Sequence, residues 1–281
     1  MEMGLQHTRL VATDLDGTFL RNDHSISPAN LDMLHRLGTR NIVRVAATGR
    51  NLEKVREVIP GEVPFDYIVY SSGAGVYNWK TGQHLLTRNI SAGAAQKIMR
   101  FFVARKLNFH AFFPAPENHN HWYFRGENTC GEFERYFIYN QAHATSLNEN
   151  ELPGNEICQF LLIIPEDTGR FQSLKAEIEN LTSEIRVVRT SSPITRGYIW
   201  MEIFHHSVSK GNGVKQVCEW LGIDPQNTFG IGNDYNDLDL LEFTRYSFLT
   251  ENAPAEIKHF YPAAPSNEND AFACAVLPMV L

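Results

Sequence analysis

Short, nearly unbroken apolar runs, each followed at once by a polar, glycine-bearing turn, mark both ends of this chain. Leu10-Val11-Ala12, Ile42 to Ala46 and Tyr67 to Tyr70 are too brief to be helices, and their continuous apolar character is that of strands buried on both faces of a parallel sheet. The strands are predicted at Arg9 to Thr13, Ile42 to Ala46 and Tyr67 to Tyr70. Between the first two, Leu31, Leu34 and Leu37 recur at helical spacing. The predicted helix, Pro28 to Leu37, has Ser27 as N-cap, Pro28 at its first position and Gly38 as its stop. A second helix opens at Leu52.

From about Gln83 to Pro193 the pattern changes. Longer aromatic runs (Phe109 to Phe113, His121 to Phe124, Cys158 to Ile164, Ile185 to Arg189) alternate with two helical stretches, the grammar of an α+β unit with a mainly antiparallel sheet. After a strand at Tyr198 to Phe204 the alternation resumes: a helix from Lys210 to Leu221, a strand at Thr228 to Ile231, a helix near Leu238 and a terminal helix from Asn269. The order predicts an α/β protein: a Rossmann-like, doubly wound parallel-sheet core built from 1–82 and 194–281, interrupted by an inserted α+β domain over 83–193. No internal repeat or low-complexity tract is present.

The size and composition allow this. The 281 residues, 43% hydrophobic and 20% charged, suffice for one large or two modest domains. A net charge of −7 without a basic run argues against nucleic acid as a partner, so an anionic substrate would need a local positive pocket. Cys130, Cys158, Cys218 and Cys274 lie far apart with no CxxC pair, against a zinc site or a disulfide framework and for buried thiols of a cytoplasmic protein. Met1 to Arg9 is polar, without an apolar signal region, and no apolar run has membrane-spanning length. A soluble, intracellular protein is expected.

Four segments carry candidate chemistry. In Asp14-Leu15-Asp16-Gly17-Thr18-Phe19 two carboxylates two residues apart follow a strand; in extended chain both reach one small volume, and Gly17 lets the chain turn behind them. A surface turn is the plain alternative. A calcium loop is not, because Thr18 and Ser25 stand where it needs an oxygen-rich fifth position and a twelfth-position glutamate. In Ala46-Ala47-Thr48-Gly49-Arg50 a hydroxyl and free backbone N–H groups are suited to a phosphate, although Thr48 as a helix cap explains the same residues, and Arg50 suits either substrate or a surface acid. Ser209-Lys210-Gly211 puts a lysine at a helix N-terminus, where the dipole disfavours it unless an anion is near; a solvated surface lysine is the alternative. Gly230 to Asp237 gathers carboxylate and amide oxygens, the hard ligands Mg²⁺ takes, or else forms a turn into an Asp-capped helix. Four such segments at strand ends, where ligands bind in α/β folds, point jointly to a site.

These residues resemble the haloacid dehalogenase superfamily, and within it the Cof-like phosphatases with an α/β cap inserted between the second and third motifs. The resemblance runs nearly the whole length: DLDGT at Asp14 to Thr18, ATGR at Ala47 to Arg50, SKG at Ser209 to Gly211 and Asn236-Asp237. Ser71-Ser72-Gly73-Ala74 with Gly75-Val76-Tyr77 is similar to the family's SNGA hairpin at the cap entrance, and Asn267 to Ala271 to its NDEDG-type segment. Three positions depart: Asn233 stands where the family has the Asp of Gly-Asp, Ser72 where it has Asn, and Ala271 where it has Gly. Asn233 keeps an oxygen but removes a negative charge from the expected metal site, with Asp234 or Asp237 to compensate.

The resemblance implies hydrolysis of a phosphomonoester through an aspartyl-phosphate. Asp14 would be the nucleophile and Asp16 the acid and base; Thr48, Gly49, Arg50 and Asn236 would hold the substrate, its phosphate above all, with Lys210 neutralising charge. Mg²⁺ would be held by Asp14, the Asp16 carbonyl and Asn233, with Asp237 near by. A small phosphorylated metabolite, sugar phosphates first, is the expected partner of a monomer or homodimer, and the cap is expected to select it. The rivals are a phosphometabolite-binding protein weakened by Asn233, and a phosphotransferase or mutase. His119 and His121 are expected in a solvent-exposed hairpin rather than in a metal pair. The aromatic stretch Phe109, Phe112, Phe113, Trp122, Tyr123 and Phe124 is expected in the core of the insert.

Overall fold

A computed structural model describes residues 8–127 and 129–280; the start of the polar N-terminal segment, residues 1–7, lies outside them. The chain divides into two compact units, one formed up to Leu86 and again from Ser209, the other from Thr87–Val208.

The first unit contains β1 (Leu10–Thr13), α1 (Pro28–Thr39), β2 (Val43–Ala47), α2 (Leu52–Val58), β3 (Tyr67–Tyr70), β4 (Gly75–Asn78) and β5 (Gln83–Thr87). The insert supplies α3 (Ala92–Ala104), β6 (Phe109–Phe112), β7 (His121–Phe124), α4 (Gly131–Asn140), β8 (Ala144–Ser146), β9 (Gln159–Pro165), α5 (Thr168–Glu179), β10 (Ile185–Ser191) and β11 (Tyr198–His205). The first unit then resumes with α6 (Lys210–Leu221), β12 (Thr228–Gly232), α7 (Leu238–Phe243), β13 (Tyr246–Thr250), β14 (Ala263–Ala264) and α8 (Ala271–Val280).

The core sheet has the order β14-β13-β12-β1-β2-β3-β4-β5. It is parallel from β14 to β3, and β4 turns back antiparallel on β3. β1 is therefore flanked by strands from opposite ends of the chain, and all four of its residues are buried, which is why it reads as an unbroken apolar run. Leu10, Ala12, Val45, Val69, Val214, Val217 and Leu240 share one core cluster; each large apolar side chain buried there is worth about 1.5–3 kcal/mol. Ser27 caps α1 as expected, accepting from the Asn30 N–H at 3.1 Å. Gly38 does not stop that helix, which runs on to Thr39. A Cβ at Gly38 would lie 2.3 Å from Arg44 Nη1, so the glycine makes room for a buried guanidinium that grips Asp66 through Nε and Nη2 at 2.9 Å each.

The insert's sheet, in the order β10-β11-β9-β6-β7-β8, is antiparallel except for the β7–β8 pair. The strand Tyr198 to Phe204, expected to belong to the core, pairs with Gln159–Pro165 and Ile185–Ser191 inside this sheet. The boundaries drawn at 83 and 193 thus fall instead at 87 and 208. One face of the sheet packs on α3 and α5 through Phe102, Phe109, Phe160, Leu162, Phe171, Leu174 and Met201. Among the described residues the insert has three α-helices rather than two, and the extra one, α4, sets Phe133 and Tyr136 against His110 from the opposite face, with ring centroids 4.6 and 4.7 Å apart.

His121 is buried, not exposed in a hairpin. Its ring centroid lies 4.9 Å from that of His110 and, like His110, both its nitrogens lack a hydrogen-bond partner. His119 sits in the turn before β7, its ring instead against that of His143. Among the cysteines Cys158 and Cys218 are buried, Cys130 is half-buried and Cys274 is exposed on α8. Among the described residues no helix is long and apolar enough to cross a membrane.

Candidate active site

The first unit brings the four segments together at the C-terminal ends of β1, β2 and β12. Asp14 leaves β1 and is 4% exposed. Gly17 turns the chain at φ +74°, and a Cβ there would stand 2.4 Å from Asn233 Nδ2, so only glycine lets this turn approach the loop after β12 so closely.

Lys210 arrives differently from the expectation. It does not follow a core strand; it opens α6 straight after the insert. Its placement depends on close backbone packing. A Cβ at Gly73, φ +100°, would lie 2.2 Å from the Ser209 carbonyl oxygen, one at Gly211 2.2 Å from that of Asp239, and one at Gly213 2.3 Å from Val69 Cγ1. Ser209 caps the helix by accepting from the Asn212 N–H. The lysine, 1% exposed, donates to Asp14 Oδ1 at 2.7 Å, to Asp237 Oδ1 at 2.5 Å and to Asn236 Oδ1 at 3.4 Å. Burial alone would lower its pKa, but Asp14 and Asp237 more than offset that and hold it protonated. Burial and the Asp237 carboxylate push Asp14 up to about 8, against the pull of Lys210.

Asp237 is placed differently from a metal ligand. Besides Lys210 on Oδ1, its Oδ2 accepts from the backbone N–H groups of Asn233 and Asp234 at 2.8 and 3.0 Å. It positions the lysine and pins the loop. Asp16, by contrast, is partly exposed and lies in the fork of Arg50, with Nε and Nη2 each 2.7 Å from one oxygen. Arg50 is thus paired with a site residue rather than with a surface acid, and His24 Nδ1 lies 3.3 Å from its Nη2.

Thr48 is buried but is not the cap of α2; Asn51 is, accepting from the Lys54 N–H. The Thr48 hydroxyl instead accepts from the Arg50 N–H at 3.1 Å. Gly49 lies between Asn236 and Ser72: a Cβ on it would be 3.7 Å from Asn236 Nδ2 and from Ser72 Oγ alike. Ser72 is a residue to which the sequence attached no role. It holds φ +54°, and its buried hydroxyl has no hydrogen-bond partner; a departure from the family pattern at a strained turn was the one available signal. Thr18 and Asn252 also support the site, Thr18 Oγ1 at 3.2 Å from Asn233 Oδ1 and Asn252 Nδ2 donating to the Gly17 carbonyl at 2.8 Å.

The atom that Asn233 turns inward stands 3.0 Å from the Asp16 carbonyl oxygen and 3.1 Å from Asp14 Oδ2. With Oδ1 inward, its separations from the Asp16 carbonyl and Asp14 Oδ2 are about those of neighbouring ligands around Mg²⁺, whose bonds are about 2.0–2.1 Å. The residues therefore fit a hard divalent cation, through one carboxylate, one carbonyl and one neutral amide. Among the described residues no three His, Cys, Asp or Glu side chains form a metal group, so a cation here depends on that carbonyl and amide. Among the described residues, Lys210 pairs with Asp14 and Asp237, and Arg50 pairs with Asp16, whose Oδ1 has His24 Nδ1 3.5 Å away.

Comparison with known proteins gives the class. The chain matches the haloacid dehalogenase-like hydrolases over residues 11–276 and belongs to that family. It is 23% identical over 255 residues to the HMP-PP phosphatase of Klebsiella pneumoniae, covering 90% of this chain and 88% of that one. To the 5-amino-6-(5-phospho-D-ribitylamino)uracil phosphatase YwtE of Bacillus subtilis it is 24% identical over 276 residues, covering 89% and 90%. In fold it is similar to the phosphatase BT1666 of Bacteroides thetaiotaomicron, with a TM-score of 0.80 at 17% identity over 99% of this chain and 97% of that one. It is likewise similar to the sugar phosphatase BT4131, with a TM-score of 0.76 at 17% identity over 98% and 100%. Within the family the chain is a Cof-like phosphatase, a phosphoric monoester hydrolase.

Proposed function

We propose that this enzyme hydrolyses small phosphorylated metabolites, sugar phosphates first among them, by way of a phosphoryl group carried on Asp14. The observation that bears most weight is the buried Asp14 carboxylate held at 2.7 Å by the Lys210 ammonium, a nucleophile fixed in place with a positive charge beside it.

In the first step the Asp14 oxygen turned away from Asn233 forms a bond to phosphorus as the bond to the leaving oxygen breaks. Asp16 gives that oxygen its proton. In the second, Asp16 takes a proton from water, whose oxygen attacks phosphorus; phosphate leaves and Asp14 is regenerated. Asp16 must exchange Arg50 for the leaving group to do this, which assigns Arg50 the task of parking the carboxylate between turnovers. Thr48, Gly49 and Asn236 hold phosphoryl oxygens, and Lys210 neutralises charge shared between them and Asp14. Mg²⁺, held by Asp14, the Asp16 carbonyl and Asn233, would supply further neutralisation of phosphoryl charge.

Substrate selection is assigned to the inserted unit by the family resemblance. The substrates named for HMP-PP phosphatase, YwtE and BT4131 support a phosphorylated small molecule in general, and the sugar phosphatase neighbour supports that order of search. Asn233 favours a second reading, a phosphometabolite-binding protein with weakened turnover, because it removes a charge from the cation's ligands.

The test is phosphate release from a panel of phosphorylated metabolites, with Mg²⁺ or EDTA. Release that requires Mg²⁺ and disappears in Asp14→Asn supports the phosphatase mechanism. Substrate binding without release, with release restored in Asn233→Asp, supports the second reading.

A further inference from the structure

Asn233 differs from a carboxylate in more than charge. Its side chain ends in an acceptor on one branch and a donor on the other, of nearly equal size, and the inward branch meets three oxygens: Asp16 O at 3.0 Å, Asp14 Oδ2 at 3.1 Å and Thr18 Oγ1 at 3.2 Å. With Oδ1 inward, Thr18 donates to it, but no hydrogen lies between it and either of the other two. Those contacts call for a cation. With Nδ2 inward, its two protons go to the Asp16 carbonyl and the Asp14 carboxylate, and no cation is needed. The same atoms and distances thus serve two states that differ by a half-turn of one amide.

Resting on the reading that a divalent cation sits among these oxygens, we propose that the Asn233 amide is a two-position stand-in for it: oxygen inward when the cation is bound, nitrogen inward when it leaves. A carboxylate has no donor branch and would leave like-charged oxygens facing one another. The departure from the family's Gly-Asp pattern therefore exchanges cation affinity for a site that stays hydrogen-bonded without its cation. Gly17 permits the exchange, since a Cβ there would lie 2.4 Å from the outward branch.

The test compares the unaltered protein with Asn233→Asp by Mg²⁺ calorimetry and by melting in EDTA and in excess Mg²⁺. It adds hydrogen exchange of the Asn233 side-chain amide, read in ¹⁵N spectra of asparagine-labelled unaltered protein. Asn233→Asp is expected to bind Mg²⁺ at least about ten-fold tighter and to melt lower than the unaltered protein in EDTA, recovering in Mg²⁺. The unaltered protein is expected to gain less in Tm than Asn233→Asp on going from EDTA to the same Mg²⁺ concentration, while its Asn233 amide protons exchange slowly in EDTA and quickly in saturating Mg²⁺. Equal exchange in both conditions, with Mg²⁺ still binding, overturns the stand-in and leaves the cation reading in place. No Mg²⁺ uptake by either protein overturns both. If Asn233→Asp does not fold in EDTA, the exchange measurement on the unaltered protein decides alone.

Discussion

The Arg50 guanidinium holds both oxygens of the Asp16 carboxylate, Nε donating to Oδ2 and Nη2 to Oδ1 at 2.7 Å each. A lysine delivers one charge but cannot span both oxygens. Arg50→Lys is expected to lower kcat about ten-fold while leaving Tm within about 2 °C, because lysine keeps the charge and the Asp16 end of the pair is partly exposed to solvent. Steady-state kinetics beside a thermal melt checks both halves.

Lys210 lies within hydrogen-bond reach of two carboxylates that are themselves buried, Asp14 and Asp237. Removing one partner of a buried ionic group costs about 3–5 kcal/mol, because the charges left behind are unpaired. Lys210→Met is expected to lose that much in urea denaturation as well as all turnover.

Asp14→Asn keeps the shape of the proposed nucleophile and removes its chemistry. Phosphate release is expected to fall by at least about a thousand-fold, and intact-mass spectra taken during turnover should show no phosphorylated protein. Asp16→Asn, by contrast, should still accumulate the phosphorylated form from substrates with good leaving groups.

Gly73 takes φ +100° with the Ser209 carbonyl where a Cβ would stand. Gly73→Ala is expected to cost at least about 2 kcal/mol and to reduce kcat more than it raises KM, since the displaced segment carries Lys210. Chemical denaturation and initial rates separate the two effects.

The insert should fail first in acid. Burial lowers the pKa of His121 to about 4 and that of His110 well below 6.5, with His143 acting on the former and His121 and Arg125 on the latter. Both are neutral when folded and take up protons near pH 6.5 when unfolded, so their contribution is complete above that pH and is lost as pH falls towards 4. For His121 the loss over this window is roughly 3 kcal/mol. Melting temperatures across pH 4 to 7 should fall steeply on the acid side, and His110→Phe with His121→Phe should flatten the slope.

Much of the core was legible because its signals are local. The helix over Lys210 to Leu221 and the strand over Tyr67 to Tyr70 appear at the predicted residues, and the apolar runs of parallel strands cannot hide. What escaped depends on partners distant in sequence. Tyr198 to Phe204 has the composition of a core strand, and only its pairing with Gln159–Pro165 puts it in the insert. His121 looked polar enough for solvent until α4, a helix the periodicity did not separate, supplied the rings that enclose its neighbour His110. At the site, DLDGT and SKG announced Asp14 and Lys210, but that Asp237 anchors the lysine, and that Asn51 rather than Thr48 caps α2, are facts of geometry. Asn233 was visible as a departure; the three oxygens it faces were not.

The strand bearing Asp14 lies between one made soon after it and one made near the end of the chain, and its ammonium partner comes 196 positions later. On the ribosome, the entire inserted unit emerges before the first strand can gain its second neighbour. A nascent chain that stops short of Asp237 has both strands flanking β1 and the Lys210 ammonium, but lacks the carboxylate that holds that ammonium opposite Asp14.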